Sequence, residues 1–588
     1  ETKQTGLAII LLIYILLGFS MSSSLYLFTV VKEKQDNVKY MLRVMGCRSG
    51  PYWLGSFLAD TLNCLILDLV ILLFSLAYGI EMIKQETLFF YIFLTAYTMN
   101  LVAISYFWSW MYNNAVSSQK TFGLFATFVL WIAPYLGTWF LFYQTQKTYG
   151  MRYVCYLASP MSTFFDGTLS LVGSKNPDHA KSLDLFGNYW IYVLIMLANT
   201  ALYLFLCVIL DRYRCSCKRS RPTSTQTDTS PNVGDMNEIA AELHRISDPH
   251  NQDLVKLFDM TKTYPGGFAA VKGLSFGVQR KEIFGLLGPN GAGKSTTFGV
   301  LTALIPKTSG SVQLFGHEVD INNYDVFKNI GVCPQFNPLW DNLTVEEHLN
   351  IFGKMKGLHG AELKENVDYF VKLLTLEEHF KKRTEHLSGG NKRKLCVVLA
   401  LLAAPKIQFL DEPSTGLDPI AKKMLWKTLT ENLNQREASV LLTTHSMTEA
   451  ESLCSRIAIL INGKFVCLGT TPYLKSKYGE GYKITLSKVN VEQRGLLDLV
   501  QQIFPQAKQV PDASHACETF QVPLAGFSFA SAGKRCEELK HQEKIADFSI
   551  YNTTLEQVFI AFSRFQIEVN QDNRSGGEDD VAAELQIN

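Results

Sequence analysis

Five long apolar stretches dominate the first 210 residues and constrain the fold more than any other feature. Each is long enough to cross a bilayer as a helix, which takes about 20 apolar residues. Four contain no Asp, Glu, Lys or Arg, and the exception carries Asp60 and Asp68. Because the runs are continuous rather than alternating, they indicate helices and not a barrel. The predicted spans are residues 6–31, 54–79, 87–111, 121–146 and 185–210.

The charged residues divide the chain into two parts. Of the 109 Lys, Arg, Asp and Glu residues, 22 lie in residues 1–210 and the other 87 lie in residues 211–588. The first part is too apolar for a soluble domain, whereas the second has the composition of an ordinary globular protein. This distribution excludes a wholly soluble enzyme, a disordered chain and a polybasic nucleic-acid-binding protein.

The basic residues of the loops predict the orientation of the spans. If the polar C-terminal part is cytoplasmic, loops 32–50, 112–120 and 211–222 lie inside and hold 11 Lys and Arg in 40 residues. The opposite loops, 80–86 and 147–184, hold 5 in 45 residues. The excess of positive charge inside supports this orientation. Five spans then place residue 1 outside, so at least one further span is expected upstream.

Asp68 is the ionisable residue expected nearest the middle of the bilayer. A carboxylate at that depth is costly unless it faces a partner or a wet cavity. It is therefore either part of a substrate path or a hydrogen-bond partner in helix packing. The sequence leaves both interpretations open.

Segment 32–53 is expected to form an amphipathic helix on the cytoplasmic side. Apolar residues such as Val38, Met41 and Met45 recur at helical spacing among basic residues such as Lys39. Such a helix could transmit motion between the soluble and membrane parts, or it could lie passively at the interface. Periodicity alone does not separate these two roles.

Residues 211–252 are expected to form a mobile cytoplasmic linker. They begin with a basic run and continue with Ser, Thr, Pro and Asp, a composition that cannot bury a core. From Leu254 the pattern changes to short β-like runs that alternate with helical ones. This alternation predicts an α/β domain with a largely parallel sheet.

A phosphate-binding loop is the clearest motif of the soluble part. The predicted strand 282–287 runs into Gly288-Pro-Asn-Gly-Ala-Gly-Lys-Ser295, which is the GxxxxGK[ST] pattern between a strand and a helix. Its glycines let backbone N–H groups approach phosphates, and the helix N-terminus adds partial positive charge. Lys294 can neutralise phosphate oxygens, and the Ser295 hydroxyl can bind Mg²⁺. By itself the motif predicts only a nucleoside triphosphate.

Two adjacent carboxylates, Asp411 and Glu412, end a second predicted strand. In a parallel sheet the ligand lies beyond the carboxyl ends of the strands, so these acids are expected beside the phosphate loop. Asp411 suits holding Mg²⁺ through water, and Glu412 suits polarising the attacking water. A third predicted strand, residues 439–444, ends at His445, which could reach the γ-phosphate.

The sequence Leu387-Ser388-Gly389-Gly390-Asn391 opens a helix expected over residues 392–403. Ser388 can cap this helix, and the glycines leave its N-terminus open to an anion. The motif lies far along the chain from the phosphate loop, and a GTPase or kinase needs no second phosphate-binding helix end. Two such ends make sense if each nucleotide is sandwiched between two domains of this kind.

Together these motifs resemble those of ATP-binding cassette transporters. The matching segments are Gly288–Thr296, Gln335 in Val-Cys-Pro-Gln-Phe, Leu387–Asn391, Leu410–Pro419 and His445. Asn391 departs from the commoner Gln of the cassette signature, but the stretch Ser-Gly-Gly-Asn-Lys-Arg-Lys-Leu resembles the A subfamily of lipid exporters. Residues 52–63 and 554–562 resemble the same subfamily. The likeness spans roughly residues 5–565. Five spans with an extracellular start resemble the second half of such a protein, cut after its large extracellular domain.

The resemblance implies the roles of the site residues. Tyr264 would stack on adenine, Gln335 would touch Mg²⁺, and Asp418 would lie at the seam between two cassettes. Ser388 and Gly390 would contact the nucleotide of the partner cassette. The predicted catalytic residues are Glu412, His445 and Lys294. The predicted ATP-binding residues are Tyr264, Gly288, Pro289, Asn290, Gly291, Ala292, Gly293, Lys294, Ser295, Thr296, Ser388 and Gly390. The predicted Mg²⁺ ligands are Ser295, Gln335 and Asp411.

A smaller domain is expected at residues 480–565, after the cassette at residues 253–479. Its pattern of strand, helix, two strands, helix and strand predicts a small α+β, ferredoxin-like fold. It resembles the regulatory domain of the subfamily; alternatively, it could simply stiffen the cassette. Residues 566–588 are acidic and are expected to be disordered.

The predicted protein is half of an ATP-driven lipid exporter, in which cassette closure moves the spans through segment 32–53. Its fold combines an α-helical polytopic membrane domain at residues 1–210, type II exporter-like by resemblance, with an α/β P-loop NTPase cassette and the small α+β domain. The expected cofactors are ATP and Mg²⁺. The expected partners are a second cassette and membrane lipids, with no nucleic acid.

The sequence leaves two alternative functions open and also predicts the cellular location. One rival is a nucleotide-gated channel or regulator with the same cassette but without pumping. The other is a non-transporting cassette ATPase, against which the five spans argue. The soluble domains are expected in the cytoplasm, and the spans in the plasma membrane or an intracellular vesicle membrane.

Overall fold

The computed structural model of the chain describes most of the membrane-type helices and almost all of the α/β part. The described residues are 2–78, 83–84, 86–132, 162–164, 167–168, 190–216, 236–320, 323–436, 438–479, 481–489, 496–510, 517–523, 528–552, 554–560 and 562. The chain forms two compact units. The first comprises residues 1–218 with Pro338–Trp340, and the second comprises residues 219–337 with 341–588.

The first unit is helical. Its helices are α1 Thr2–Gln35, α2 Val38–Val44, α3 Ser49–Ala77, α4 Thr87–Trp108, α5 Ala115–Phe125 and α6 Trp190–Ser216. Among the described residues, four segments are long and apolar enough to cross a membrane: Ile13–Gln35, Ser49–Ala77, Thr87–Met111 and Trp190–Asp211. They overlap four of the five predicted spans, with shifted ends. The predicted span 121–146 lies mostly outside the described residues.

The segment between the first two spans is not the single helix predicted over residues 32–53. Asn37 has a φ of 56°, in the left-handed region that Asn tolerates better than most residues. Because of this residue α1 ends at Gln35, and the separate seven-residue helix α2 follows. The prediction of one continuous helix is therefore wrong.

Polar side chains join the helices inside the first unit. Thr98 Oγ1 on α4 donates to Asp68 Oδ2 on α3 at 2.9 Å, and Tyr106 Oη donates to Asp60 Oδ2 at 2.6 Å. The α4 helix packs against α1, α3 and α6. Asp68 thus makes a hydrogen bond between packed helices, which agrees with one of its two predicted interpretations.

A helix, α7 Met236–Ser247, precedes the first strand of the second unit. Its buried Glu242 accepts hydrogen bonds from Arg245 and from Arg456 of the α/β domain. Glu238 accepts from Tyr473 at 2.7 Å. The prediction of a mobile linker over residues 211–252 is therefore wrong for this helix, since ionic hydrogen bonds hold it on the domain. Residues 217–235 of the predicted linker lie outside the described part of the chain.

The α/β domain is built on two sheets. Its strands are β1 Val255–Thr263, β2 Ala269–Val278, β3 Ile283–Leu287, β4 Ser309–Leu314, β5 His317–Glu318, β6 Ile330–Cys333, β7 Ile407–Asp411, β8 Ser439–Thr444, β9 Arg456–Ile461 and β10 Lys464–Gly469. An antiparallel sheet has the order β2-β1-β4-β5. The six-stranded sheet has the order β10-β9-β3-β8-β7-β6, and every neighbouring pair except β9 and β10 is parallel.

Helices fill the connections of this domain. They are α8 Lys294–Leu301, α9 Tyr324–Phe327, α10 Val345–Met355, α11 Gly360–Leu373, α12 Gly389–Leu401, α13 Pro419–Arg436, α14 Met447–Leu453 and α15 Thr471–Tyr478. The three predicted strands that end at the phosphate loop, the carboxylates and His445 are β3, β7 and β8. They are neighbours in the parallel sheet, so their carboxyl ends meet at one edge, as predicted.

The C-terminal residues form a third sheet. Strands β11 Tyr482–Ser487, β12 Lys508–Val510, β13 Cys517–Val522 and β14 Asp547–Asn552 pair antiparallel in the order β12-β13-β11-β14. Helices α16 Leu496–Ile503 and α17 Phe529–His541 follow β11 and β13. The predicted sequence of elements is thus confirmed. A last helical segment, residues 555–560, is tied to α14 because Leu555 N donates to Glu451 Oε1 at 2.8 Å.

Candidate nucleotide site

The phosphate loop joins the end of β3 to the start of α8. A Cβ on Gly288 would lie 2.5 Å from Leu460 O, and one on Gly293 would lie 2.5 Å from Ala270 O. Gly293 also has a φ of 102°, which favours glycine. Since no side chain fits at either position, backbone N–H groups at the helix start remain free to approach an anion.

Lys294 is buried at the first turn of α8. Its Nζ donates to Gly288 O at 2.7 Å and to Pro289 O at 3.0 Å. Burial lowers the pKa of this ammonium, and the nearby charges of Glu412 and Asp411 oppose the shift. The lysine is therefore held by neutral carbonyls of its own loop, and phosphate oxygens would be stronger acceptors.

Asp411 ends β7 beside the phosphate loop. Its carboxylate accepts hydrogen bonds from the hydroxyls of Thr443 on β8 and Ser295 on α8. Burial raises the pKa of Asp411, and these two hydrogen bonds lower it in part. The predicted proximity of the β7 carboxylates to the phosphate loop is confirmed.

Glu412 follows Asp411 in an unusual backbone conformation, with a φ of 48°. Its amide donates to Thr443 O and to Thr443 Oγ1, both at 3.1 Å. Its Oε2 accepts from Thr415 Oγ1 at 3.3 Å, and His445 Nδ1 lies 3.4 Å from its Oε1. His445 is 59% exposed, so the carboxylate and the imidazole meet where the buried strand end opens to solvent.

Gln335 lies just after β6 and is exposed. Its Nε2 is 3.5 Å from Glu412 Oε2. Within the described residues no group of three or more His, Cys, Asp and Glu could hold a metal ion. The predicted ligands Ser295, Gln335 and Asp411 instead offer scattered oxygen atoms, a set that suits Mg²⁺ when a bound phosphate and water complete the coordination.

Tyr264 lies in the turn between β1 and β2. Its hydroxyl is 3.4 Å from Thr296 Oγ1, and the Lys262 ammonium lies 5.2 Å from the centre of its ring. The half-buried ring therefore borders the phosphate loop, on the side of the α8 N-terminus. This position agrees with an aromatic platform for a base whose phosphates lie on that loop.

The serine-glycine motif is at the start of α12. Ser388 Oγ accepts from Asn391 N at 3.3 Å, which confirms the predicted N-cap. Ser388 is exposed, and a Cβ on Gly390 would lie 3.0 Å from Gly416 O. The motif thus lies against the loop that follows Glu412, with its helix end accessible from outside.

Three residues of the site were missed by the sequence reasoning. Thr443 binds both Asp411 and Glu412. Arg393, inside the predicted helix after the serine-glycine motif, binds the backbone of Asp411 and Glu412. Glu449 on α14 is the third. No local signal marks them, because Arg393 stands between two lysines in the sequence, Thr443 is an ordinary strand residue, and their partners are distant in sequence.

Glu449 is fully buried and joins two loops of the site. Its Oε2 accepts from Ser414 Oγ at 3.0 Å and from Thr444 Oγ1 at 2.6 Å, and its Oε1 accepts from Trp426 Nε1 at 3.1 Å. Ser414 follows Glu412, and Thr444 precedes His445. Glu449 therefore fixes the two segments that carry these side chains relative to each other.

Two models of known protein families match the chain, one in the α/β domain and one in the helical unit. The family model described as "ABC transporter" matches residues 271–415, and that described as "ABC-2 family transporter protein" matches residues 1–209. Together they cover more than half of the chain. The chain belongs to the ABC transporters. The matched cassette region contains the phosphate loop, the serine-glycine motif and both carboxylates of this ABC transporter chain.

The chain is similar to A-subfamily ABC transporters over nearly its whole length. It is 31% identical to "ATP-binding cassette sub-family A member 2" of Homo sapiens over 95% of this chain and 24% of that protein. It is 28% identical to "Cholesterol transporter ABCA5" of Rattus norvegicus over 95% of this chain and 36% of that protein. It is 30% identical to "Glucosylceramide transporter ABCA12" of Mus musculus over 96% of this chain and 23% of that protein. The chain thus spans between 23% and 36% of the length of these relatives.

Proposed function

We propose that this chain is one half of an ATP-driven exporter of lipids. The observation that carries the proposal is the convergence of Lys294, Asp411, Glu412 and His445 at one edge of a parallel sheet. The membrane-type helices of the first unit and the printed names of the relatives add support. The proposed domains are a membrane domain at 1–210, a linker to 252, a cassette at 253–479, a smaller domain to 565 and an acidic tail.

ATP is the proposed nucleotide. Its triphosphate would lie on the backbone of residues 288–296, with Lys294 turning from its loop carbonyls toward the β- and γ-phosphates. Its base would stack on Tyr264, which borders the N-terminus of α8. Mg²⁺ would be held through Ser295, Gln335 and Asp411 and would neutralise charge on the phosphate oxygens.

Glu412 is the proposed general base. Its carboxylate is close to Gln335 and His445, and all three side chains reach the opening beyond the parallel strands. A water in this opening could give a proton to Glu412 as it attacks the γ-phosphate. His445 would then stabilise the developing charge of the phosphoryl group.

A second cassette is the proposed partner. The exposed cap at Ser388 and the nearby Gly390 form a helix end that could contact the γ-phosphate of a nucleotide on another domain. That domain would belong to the other half of a longer protein or to another copy. Asp418, which caps α13 through Ala421 N at 2.9 Å, would lie near the seam.

Lipid is the proposed cargo, and the C-terminal domain is the proposed regulator. Relatives named for cholesterol and for glucosylceramide point to a hydrophobic substrate without choosing between the two. The strand order β12-β13-β11-β14 with two connecting helices is what a ferredoxin-like fold requires. The proposed site of action is a plasma or vesicle membrane, with the cassette in the cytoplasm.

The test is lipid-stimulated ATP hydrolysis and lipid transfer by the full-length parent protein in vesicles. Vesicles that contain either cholesterol or glucosylceramide identify the preferred lipid. Glu412→Gln should retain ATP binding and lose turnover, because the amide cannot accept the water proton. Unchanged ATPase activity in that variant would remove Glu412 from its role. Lipid movement supported equally by a non-hydrolysable ATP analogue would favour the nucleotide-gated channel.

A further inference from the structure

Arg393 lies on the first turns of α12 and is 3% exposed. Its guanidinium makes hydrogen bonds to four backbone carbonyls that belong to two different loops. Nη1 donates to Pro334 O and, at 3.2 Å, to Gln335 O. Nη2 donates to Asp411 O and, at 3.0 Å, to Glu412 O. One planar group thus joins the segment that carries Gln335 to the segment that carries Glu412.

The two nitrogens hold matched pairs of neighbouring carbonyls. Each Nη is directed at two successive peptide oxygens, and Nη1 is also 3.4 Å from Asn337 Oδ1. A rigid, planar guanidinium can satisfy both pairs at once, whereas a lysine ammonium is a single point of charge. Hydrogen bonds of this geometry hold the two segments together and also fix the distance between them.

The Glu412 backbone needs such support. A non-glycine residue with a φ of 48° occupies a sparsely populated conformation that persists only where its surroundings impose it. Thr443 fixes the amide side of Glu412, and Arg393 fixes its carbonyl side. Together they determine the direction in which the Glu412 carboxylate leaves the end of β7.

Arg393 differs from the arginines that stabilise the same unit by ion pairing. Arg456 pairs with Glu242 and Glu282, and Arg245 pairs with Glu242 and Asp253. The hydrogen bonds of Arg393 go to neutral oxygens, and its Nε is buried without a partner among the described residues. Burying a cation in this way is costly, and such cost is typical of a functional site.

We propose that Arg393 is a positioning residue for ATP hydrolysis. It holds the loop of Gln335 at a fixed distance from the backbone of Glu412, so that both side chains confine the attacking water to one arrangement. A displacement of residues 334–337 is then passed directly to the general base. This inference rests on the proposed function, because it assigns Arg393 a part in the same hydrolytic site.

The experiment compares Arg393→Met with a matched control in the full-length protein in lipid. Methionine keeps much of the length of the side chain and removes every donor. Arg456→Met removes another arginine, which is half-buried and lies outside the site. ATP affinity, kcat and thermal unfolding are measured for both variants and for Arg393→Lys.

Arg393→Met should lower kcat by about 30-fold or more, since small displacements of reacting groups are that costly. Its ATP affinity should stay within about threefold, because the phosphate loop and Tyr264 are untouched. Arg393→Lys should recover part of the loss, since an ammonium still reaches some of the carbonyls. Arg456→Met should lower the unfolding temperature and leave kcat nearly unchanged.

Amide hydrogen exchange gives a readout that does not need hydrolysis. In the nucleotide-free protein, Arg393→Met should accelerate exchange in residues 334–337 and in residues 411–416 together, whereas Arg456→Met should accelerate neither. If the unchanged protein fails to hydrolyse ATP in any lipid, the proposed function fails, and exchange still decides whether Arg393 joins the two segments.

Three results would overturn the proposal. The first is a kcat for Arg393→Met close to that of the unchanged protein. The second is an equal loss of ATP affinity and kcat, which would show a general disturbance of the cassette. The third is failure of both Arg393 variants to fold while Arg456→Met folds, which would make the residue purely structural.

Discussion

The two edges of the six-stranded sheet bury their charges in different ways. At the edge where β3 and β9 begin, cations are paired with carboxylates. Arg456 is 2.6 Å from Glu242 and 3.2 Å from Glu282, and Arg245 is 2.7 Å from Glu242 and 2.8 Å from Asp253. This edge needs nothing further to compensate its charge.

At the opposite edge the hydrogen bonds of the charged groups go to neutral atoms. Lys294 and Arg393 donate to backbone carbonyls, and Asp411 accepts from the hydroxyls of Thr443 and Ser295. Lys294 and Asp411 remain able to bind a charged ligand, because no opposite charge occupies their hydrogen bonds. The difference teaches that one edge stabilises the fold by ion pairing, whereas the other keeps charged groups for the nucleotide and Mg²⁺ that we propose there.

The largest expected effect is on the stability of the ion-paired edge. Glu242→Gln removes the carboxylate shared by Arg245 and Arg456, and the free energy of unfolding should fall by about 3 kcal/mol because two cations each lose one of their two carboxylate partners. Burial alone would raise the pKa of Glu242, but hydrogen bonds from these arginines lower it from 4.5 to about 2. A depressed pKa stabilises the fold above pH 4.5 and ceases to do so as the pH falls toward 2.

Denaturant unfolding at a series of pH values checks this prediction. The difference in the free energy of unfolding between the unchanged protein and Glu242→Gln should be largest at neutral pH and should shrink between pH 4.5 and 2. A difference that is constant with pH would mean that the charge of Glu242 is not what stabilises this edge.

The next effect concerns Lys294 at the ligand-binding edge. Lys294→Ala should weaken ATP binding by about 100-fold, or about 2.7 kcal/mol, because the phosphates lose a charge-assisted donor. Stability should hardly change, because the lost hydrogen bonds go to neutral carbonyls. ATP titration and thermal unfolding measure the two quantities. Lys477→Ala, which removes an ion pair with Glu238, is the control and should leave ATP affinity unchanged. Equal affinity in both variants would contradict the assignment.

Glu449 should show an intermediate effect, since it is a buried acid at the ligand-binding edge. Glu449→Gln replaces one accepting oxygen by a donor. Either the pair Ser414 and Thr444, which share one oxygen, or Trp426, which uses the other, then loses its acceptor. Stability should fall by about 2 kcal/mol, and hydrolysis by about tenfold, because the segments of Glu412 and His445 become less fixed. Glu451→Gln, at a partly exposed acid on the same helix, serves as control. A variant that loses stability but keeps full turnover would show that Glu449 only supports the fold.

The smallest effect separates a cap that binds a ligand from one that does not. Ser388→Ala and Thr344→Ala each remove an N-cap and should each lower stability by about 1 kcal/mol. Only Ser388→Ala should also reduce ATP hydrolysis, because its helix end is proposed to face a nucleotide on the partner cassette. Equal turnover in both variants would argue that the Ser388 turn meets no nucleotide.

Much of the site was predictable because its residues lie at the ends of recognisable strands. The strands before Gly288, before Glu412 and before His445 were each visible as short apolar runs, and they are neighbours in the sheet. The order of elements in the C-terminal domain was predictable for the same reason. The roles of these residues remain predictions.

The errors arose where local pattern did not decide the structure. Composition around residues 236–247 indicated a mobile linker, yet Glu238 and Glu242 find partners on strands and helices more than 200 residues away. Amphipathic periodicity over residues 32–53 indicated one helix, yet a single left-handed residue, Asn37, divides it.

The sequence alone determined which segments are long and apolar enough to cross a membrane, where the phosphate loop lies and which carboxylates end a strand, because apolar periodicity and motif spacing are local properties. Only the tertiary structure decided what Arg393, Thr443 and Glu449 do. Their hydrogen bonds join loops that are distant in the chain and meet only when parallel strands bring their carboxyl ends together, and no local pattern encodes such a meeting.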